Sequence, residues 1–296
     1  MSSKANPLNR IGSIVQSRSF PYAKPTWPSS VQQEHVQSKL GINYDSEWSR
    51  KYPARLVRAA FVDWVAKPAI ELIAPPSIDG LDRIEQLHPP IIFAANHSSH
   101  LDTVVLMTSL PNRLRHRTVV AAGADYFFDK TWKAHLWSLT TAAIPIERTK
   151  VNRQSAIKAI ELLRANWNLL IYPEGGRSPD GWGQPFRPGA SYLASRTSAP
   201  VVPVYISGTR EVMAKDAKKI RQGATRVVFG SPLYFREDED VRAFSARIEG
   251  KVAELADESS SDWWQAKKNA GTNSTPPLTG PIGSKWRREW ELKNLG

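Results

Sequence analysis

The chain contains no cysteine. That excludes disulfides, thiolate nucleophiles and Cys-ligated metals. No apolar run reaches the roughly 18 residues a membrane span needs. The nearest stretch, residues 54–74, is interrupted by Arg55, Arg58, Asp63, Lys67 and Glu71. The N-terminus lacks a charged segment followed by an apolar one, so no signal peptide is expected. Three catalytic signatures are also missing: G-x-S-x-G, G-x-x-x-x-G-K-[ST] and H-E-x-x-H. Acidic residues are scarce as well. Forty Lys and Arg face 28 Asp and Glu, a net charge of +12, so anionic partners are expected. The cations are densest in residues 215–226. No aromatics interleave them and no recognition motif appears, so nucleic acid is not the expected partner.

The 296 residues suffice for one large domain with a real core. Residues 1–46 are rich in Ser, Pro, Asn and Gln and are expected to be mostly disordered. Residues 47–74 read as an amphipathic helical segment. Val57, Phe61, Trp64, Val65 and Leu72 share one face, Asp63, Lys67 and Glu71 form a ridge, and Pro68 kinks or divides the helix. Packing against the domain is the expected role of that apolar face, and contact with a bilayer interface is the alternative. From 75 to 270 strand-like and helix-like segments alternate. Strands are expected at PIIFAAN, RTVVAAG, AAIPIER, NLLIY, PVVPVYISG and TRVVFG, with helices between them. This alternation predicts a single α/β domain with a largely parallel, mixed central sheet flanked by helices. Residues 271–296 read as a tail whose Trp286 and Trp290 dock on the domain or touch a membrane.

In such folds functional residues gather at the carboxyl ends of the strands. Three polar clusters fall there: NHSSHLD after the first strand, IERTK after the third and PEGGRSPDG after the fourth. His97 can accept a proton from a hydroxyl if a partner fixes its tautomer, and Asp102 lies five residues on. In isolation this spacing more often means a helix-capping Asp and a loop His. Gly175 and Gly176 let backbone N–H groups face an anion or oxyanion, while Arg148 and Arg177 offer forks for phosphate. Each taken alone is equally compatible with an ordinary surface turn.

Taken in order, the clusters resemble the glycerolipid acyltransferase family, typified by 1-acylglycerol-3-phosphate acyltransferases. Asn96, His97 and Asp102 match its N-H-x-x-x-x-D block, and Ile146, Glu147 and Arg148 match a strand end with an arginine. YPEGGRS, residues 172–178, matches F-P-E-G-T-R-S, and Val202, Pro203 and Val204 match a V-P-V strand. Gly176 replaces the usual Thr, and VVAAGADYFFD lacks the Lys-Glu pair common in lysophosphatidate enzymes.

The resemblance implies an O-acyltransferase that moves a fatty acyl chain from acyl-CoA or acyl carrier protein to a lysophospholipid or glycerol phosphate hydroxyl. His97 would be the base, Asp102 its partner, and Asn96 a support. Amides near Gly175 and Gly176 would hold the oxyanion. Arg148 and Arg177 would hold the acceptor phosphate, with Glu174 positioning Arg177 or an acceptor hydroxyl. No metal or cofactor is implied. The expected setting is a phospholipid surface on the cytoplasmic side, met peripherally or monotopically. A CoA-independent transacylase and a non-catalytic lipid-binding protein are the alternatives.

Overall fold

A computed structural model describes residues 40–147, 153–178, 180–214 and 219–280, all within one compact unit. Arg148, residues 215–218 of the basic run, residues 1–39, Trp286 and Trp290 lie outside the described residues.

Short apolar runs rich in Val, Ile and Leu form a seven-stranded sheet. The strands are β1 (Pro76–Asp79), β2 (Ile92–Ala95), β3 (Thr118–Gly123), β4 (Ile144–Ile146), β5 (Asn168–Ile171), β6 (Val201–Ser207) and β7 (Thr225–Phe229). Their order is β1-β7-β6-β2-β5-β3-β4. All neighbouring pairs are parallel except β6 with β7, so the sheet is mixed and largely parallel, as the alternation predicts. β1 was not foreseen, because Pro76-Ser-Ile-Asp carries almost no strand pattern. It forms by pairing with β7.

The pleat sends alternate residues to opposite faces. Ile92 and Ala94 of β2 pack with Leu163, Leu193, Phe244 and Ile248 on one side. Phe93 and Ala95 pack with Ile70, Val105 and Leu106 on the other. Helices supply both coverings, so both faces of the central strands are buried and the strands read as continuous apolar runs.

The N-terminal helix differs from its expected packing. α1 (Tyr52–Phe61) runs through a π-helical turn (Val62–Ala66) into α2 (Lys67–Ile73). Arg58, Val62, Ala66 and Ile70, spaced four apart, face inward. The apolar face of Val57, Phe61, Trp64, Val65 and Leu72 is solvent-exposed, with Trp64 at 83% and Leu72 at 69%. Arg58 can go inside because its guanidinium donates to the Ser49 carbonyl. Asp63 is held by Arg115.

After β2 comes α3 (Leu101–Ser109), followed by α4 (Asn112–Arg115). Between β3 and β4 the chain forms two helices, α5 (Ala124–Phe127) and α6 (Thr131–Thr141), parted where the fully buried Phe128 turns inward. α7 (Arg153–Arg164), α8 (Gly189–Thr197), α9 (Thr209–Val212), α10 (Val241–Ser260) and α11 (Trp263–Gly271) complete the order. α11 carries no clear apolar stripe and was not foreseen.

Residues 40–46 correct the expectation of N-terminal disorder there. Gly41 N donates to Phe128 O, and Tyr44 is buried against Phe128 and Ala143. The tail is also docked up to residue 280. Gly183 N donates to Leu278 O, and the Leu278 side chain packs on the core.

Candidate active site

The strand order positions the site. β2 lies between β6 and β5, and β3 follows β5, so the loops leaving their carboxyl ends emerge side by side. The loop after β2 carries His97, and the turn after β5 carries Glu174 to Ser178. Two hydrogen bonds tie them together: His97 N donates to Glu174 Oε1 at 2.9 Å, and Ser178 N donates to His97 O at 2.8 Å.

His97 Nδ1 lies 2.9 Å from Asp102 Oδ2. The same oxygen accepts from Ser98 N at 2.7 Å and Ser99 N at 2.9 Å. Oδ2 already accepts from two backbone N–H groups and Oδ1 from the Thr209 hydroxyl, so the carboxylate faces Nδ1 as an acceptor and the network assigns the proton to Nδ1, leaving the Nε2 lone pair free. Asp102 sits in the first turn of α3, with no side-chain exposure, and His97 is 13% exposed. The imidazole thus reaches solvent while its partner does not.

Thr209 completes the pair. Its hydroxyl donates to Asp102 Oδ1 and lies 3.1 Å from Ser98 Oγ. Both carboxylate oxygens are therefore satisfied in a fully buried site, which offsets the cost of burying the charge. Thr209 was missed by the sequence reading. It is 107 residues from Asp102, and its only signal is its place just after the expected strand PVVPVYISG.

Asn96 supports the site through the backbone. Its amide donates to Ile206 O at 2.8 Å and accepts from Ile206 N at 2.7 Å, extending the β2–β6 ladder to the residue before His97.

For Glu174 the first of the two expected roles is corrected. The carboxylate does not pair with Arg177. It is 2% exposed and accepts from His97 N and from Gln184 N, each at 2.9 Å. Burial pushes its carboxyl up to about 7, against the opposing pull of those two donors. Its role here is to brace the His97 loop against residue 184. Arg177 lies over the Tyr126 ring, 5.9 Å from the centroid.

The two glycines also divide. Gly175 has φ +75, and its N–H donates to Tyr172 O, so that amide is occupied in the turn. A side chain at Gly175 would press on Arg187 at about 3.0 Å. Among the described residues nothing accepts from the Gly176 N–H, and the space where its Cβ would stand is open. Gly175 N–H is thus spent inside the turn, whereas Gly176 N–H is not.

Both glycines line one cleft with His97, Tyr172, Val120, Phe127, Trp137 and Ile146. An imidazole, two turn glycines and an apolar wall thus line one concavity, an arrangement compatible with acyl transfer.

Residues 76–207 match the family model described as Acyltransferase. Over 166 residues the chain is 28% identical to a chloroplastic 1-acyl-sn-glycerol-3-phosphate acyltransferase of Brassica napus, covering 53% of this chain and 44% of that protein. Over 181 residues it is 26% identical to the bovine (Bos taurus) 1-acyl-sn-glycerol-3-phosphate acyltransferase alpha, covering 58% and 60%. The chain spans about half the length of the curated relatives it matches. The crystal structure of the 1-acyl-sn-glycerophosphate acyltransferase of Thermotoga maritima shares the fold. It superposes with a TM-score of 0.55 at 21% identity, covering 73% of this chain and 83% of that one.

Proposed function

We propose, from the match of residues 76–207 to the Acyltransferase family model and the likeness to 1-acyl-sn-glycerol-3-phosphate acyltransferases, that the chain acylates a hydroxyl of a lysophospholipid or glycerol phosphate, with acyl-CoA or acyl carrier protein as donor. The observation that carries this reading is the His97–Asp102 pair opening on a cleft with an apolar wall.

His97 Nε2 takes the proton of the acceptor hydroxyl as the oxygen attacks the thioester carbonyl. Asp102 stabilises the resulting imidazolium through Nδ1. The tetrahedral oxyanion accepts from the Gly176 N–H. Collapse expels the thiolate, which takes the proton from His97, so the base is restored without an acyl-enzyme. Val120, Phe127 and Trp137 suit the acyl chain, and Arg177 suits the acceptor phosphate. Arg148 remains proposed for that phosphate on its sequence match alone.

Contact with a phospholipid surface is supported by the exposed face of α1 and α2. No helix among the described residues is long and apolar enough to cross a membrane. A row of exposed Leu56, Val57, Phe61, Trp64 and Val65 suits peripheral binding instead. The described end of the basic run, from residue 219, lies beside it: Gly223 N donates to Ile73 O and Gln222 to Leu72 O, with Lys219 and Arg221 exposed nearby in sequence. Arg226 of that run is bound to Asp79 and is not available.

The test is thiol release from long-chain acyl-CoA, with lysophosphatidate, glycerol-3-phosphate and neutral lysolipid as acceptors. Acceptor-dependent release by the wild type and its loss in His97→Ala are expected. Wild-type turnover by His97→Ala would overturn the mechanism. Failure of every acceptor with both CoA and carrier-protein donors would overturn the activity.

A further inference from the structure

The Nδ1 hydrogen bond alone does not fix the direction of His97 Nε2. A ring held at one nitrogen can still pivot about the axis of that bond, and the pivot swings Nε2 through the cleft. Tyr172, at the end of β5, closes this freedom. Its ring lies flat on the imidazole, with centroids 4.0 Å apart and planes 17° from parallel. Its hydroxyl is joined to Thr103 Oγ1 at 2.9 Å, and Thr103 adjoins Asp102 on α3. One helical turn therefore holds the imidazole edge through Asp102 and its face through Thr103 and Tyr172.

We propose that Tyr172 is a positioning residue for the transfer reaction: by stacking on His97 under the control of Thr103, it fixes the imidazole plane and aims Nε2 at the acceptor hydroxyl. The inference rests on the function proposed above. The stacked phenol also favours the imidazolium that forms during proton transfer, since a cation is attracted to an electron-rich ring face. Burial, then the Asp102 charge, push the Tyr172 phenol well above its ordinary value, so it stays neutral and keeps its bond to Thr103. The backbone locks the same residue, because Gly175 N donates to Tyr172 O and the next residue, Pro173, is buried. An aromatic that merely filled space could be exchanged for an aliphatic of similar volume without slowing the chemistry.

The experiment compares Tyr172→Phe, Tyr172→Leu, Tyr172→Met and Thr103→Val with wild type. Two readouts are taken: kcat and KM for donor and acceptor, and the ring-current displacement of the His97 ring protons by NMR. His97→Ala assigns those protons and serves as the inactive reference. Misaimed groups lose about 10-fold to 10²-fold in rate. Tyr172→Leu should lower kcat by that amount, leave both KM values unchanged within about twofold, and abolish the displacement. Tyr172→Phe keeps the stack and should keep the displacement and kcat within about threefold, a change worth about 0.7 kcal/mol. Thr103→Val removes the same hydrogen bond as Tyr172→Phe and should lose no more than that variant. Tyr172→Met replaces Tyr172→Leu if the latter fails to fold by near-ultraviolet circular dichroism.

Wild-type kcat in both aliphatic variants would overturn the proposal. So would equal losses in Tyr172→Phe and Tyr172→Leu, or an effect confined to KM. The two layers fail separately. Wild-type turnover by His97→Ala refutes the base mechanism whatever the Tyr172 variants do. An active His97-dependent enzyme indifferent to Tyr172 refutes only the positioning role.

Discussion

At the scale of single residues, the site is a set of buried polar groups that satisfy one another, and its weak points can be named. Thr209→Val keeps the shape but removes the donor to Asp102 Oδ1. Leaving a buried charged acceptor short of one donor costs about 1–3 kcal/mol. Denaturant unfolding should show that loss, accompanied by slower transfer; an unchanged midpoint would mean the hydroxyl does not hold the carboxylate. Glu174 makes a prediction about pH. Its carboxyl is raised from 4.5 to about 7 by burial, so the folded chain binds that proton more tightly than the unfolded chain. The stability it contributes is fully present below about 4.5 and is lost as pH rises through about 7. Wild type should therefore lose stability relative to Glu174→Gln between pH 5 and pH 8, by a few degrees of melting temperature. The opposite slope would show that the two N–H donors outweigh burial. His97 and Asp102 were legible because they lie five positions apart in sequence and three further blocks lent them weight. Thr209 was not, because long-range hydrogen bonds leave no local pattern. The expected contact of Glu174 with Arg177 does not form, because folding spends the carboxylate on backbone N–H groups.

At the scale of elements, the N-terminal helix shows how a correct pattern can be assigned to the wrong partner. Its apolar residues do share a face. The inward ladder of Arg58, Val62, Ala66 and Ile70 nevertheless packs on the domain, and the larger side chains stay outside. Hydropathy alone sends the largest apolar residues inward. It cannot foresee an arginine buried on a carbonyl or an alanine chosen for close approach. The outward face carries its own prediction. Phe61→Ser and Trp64→Ser should each weaken binding to phospholipid vesicles about tenfold or more, because a large apolar side chain contributes about 1.5–3 kcal/mol on burial. Folding stability should change by no more than about 0.5 kcal/mol for Trp64→Ser, whose side chain is 83% exposed, and by more for Phe61→Ser, which is 37% exposed. Co-sedimentation and thermal unfolding measure the two effects. Unchanged binding with lost stability would assign the face to packing after all. The strands themselves were legible as apolar runs bounded by turn residues. β1 was invisible because partner pairing, not propensity, makes it a strand.

At the scale of the whole molecule, the sheet order gathers the machinery. β6, β2, β5 and β3 stand in sequence, so Thr209, His97, Glu174 and Tyr126 follow the carboxyl ends of neighbouring strands although more than a hundred residues separate the first two. The α/β class was readable from alternation. The order was not, because adjacency depends on which apolar faces find each other across the chain. On the proposed mechanism His97 and Asp102 act as one unit in transfer. The most direct test is a double-mutant cycle of His97→Ala and Asp102→Asn, read as kcat/KM for acyl transfer. If the carboxylate works only through the imidazole, each single change should cost about 10³-fold or more, and the double variant should be no slower than His97→Ala, within about threefold. Losses that multiply would show that the two groups act independently and would contradict the account.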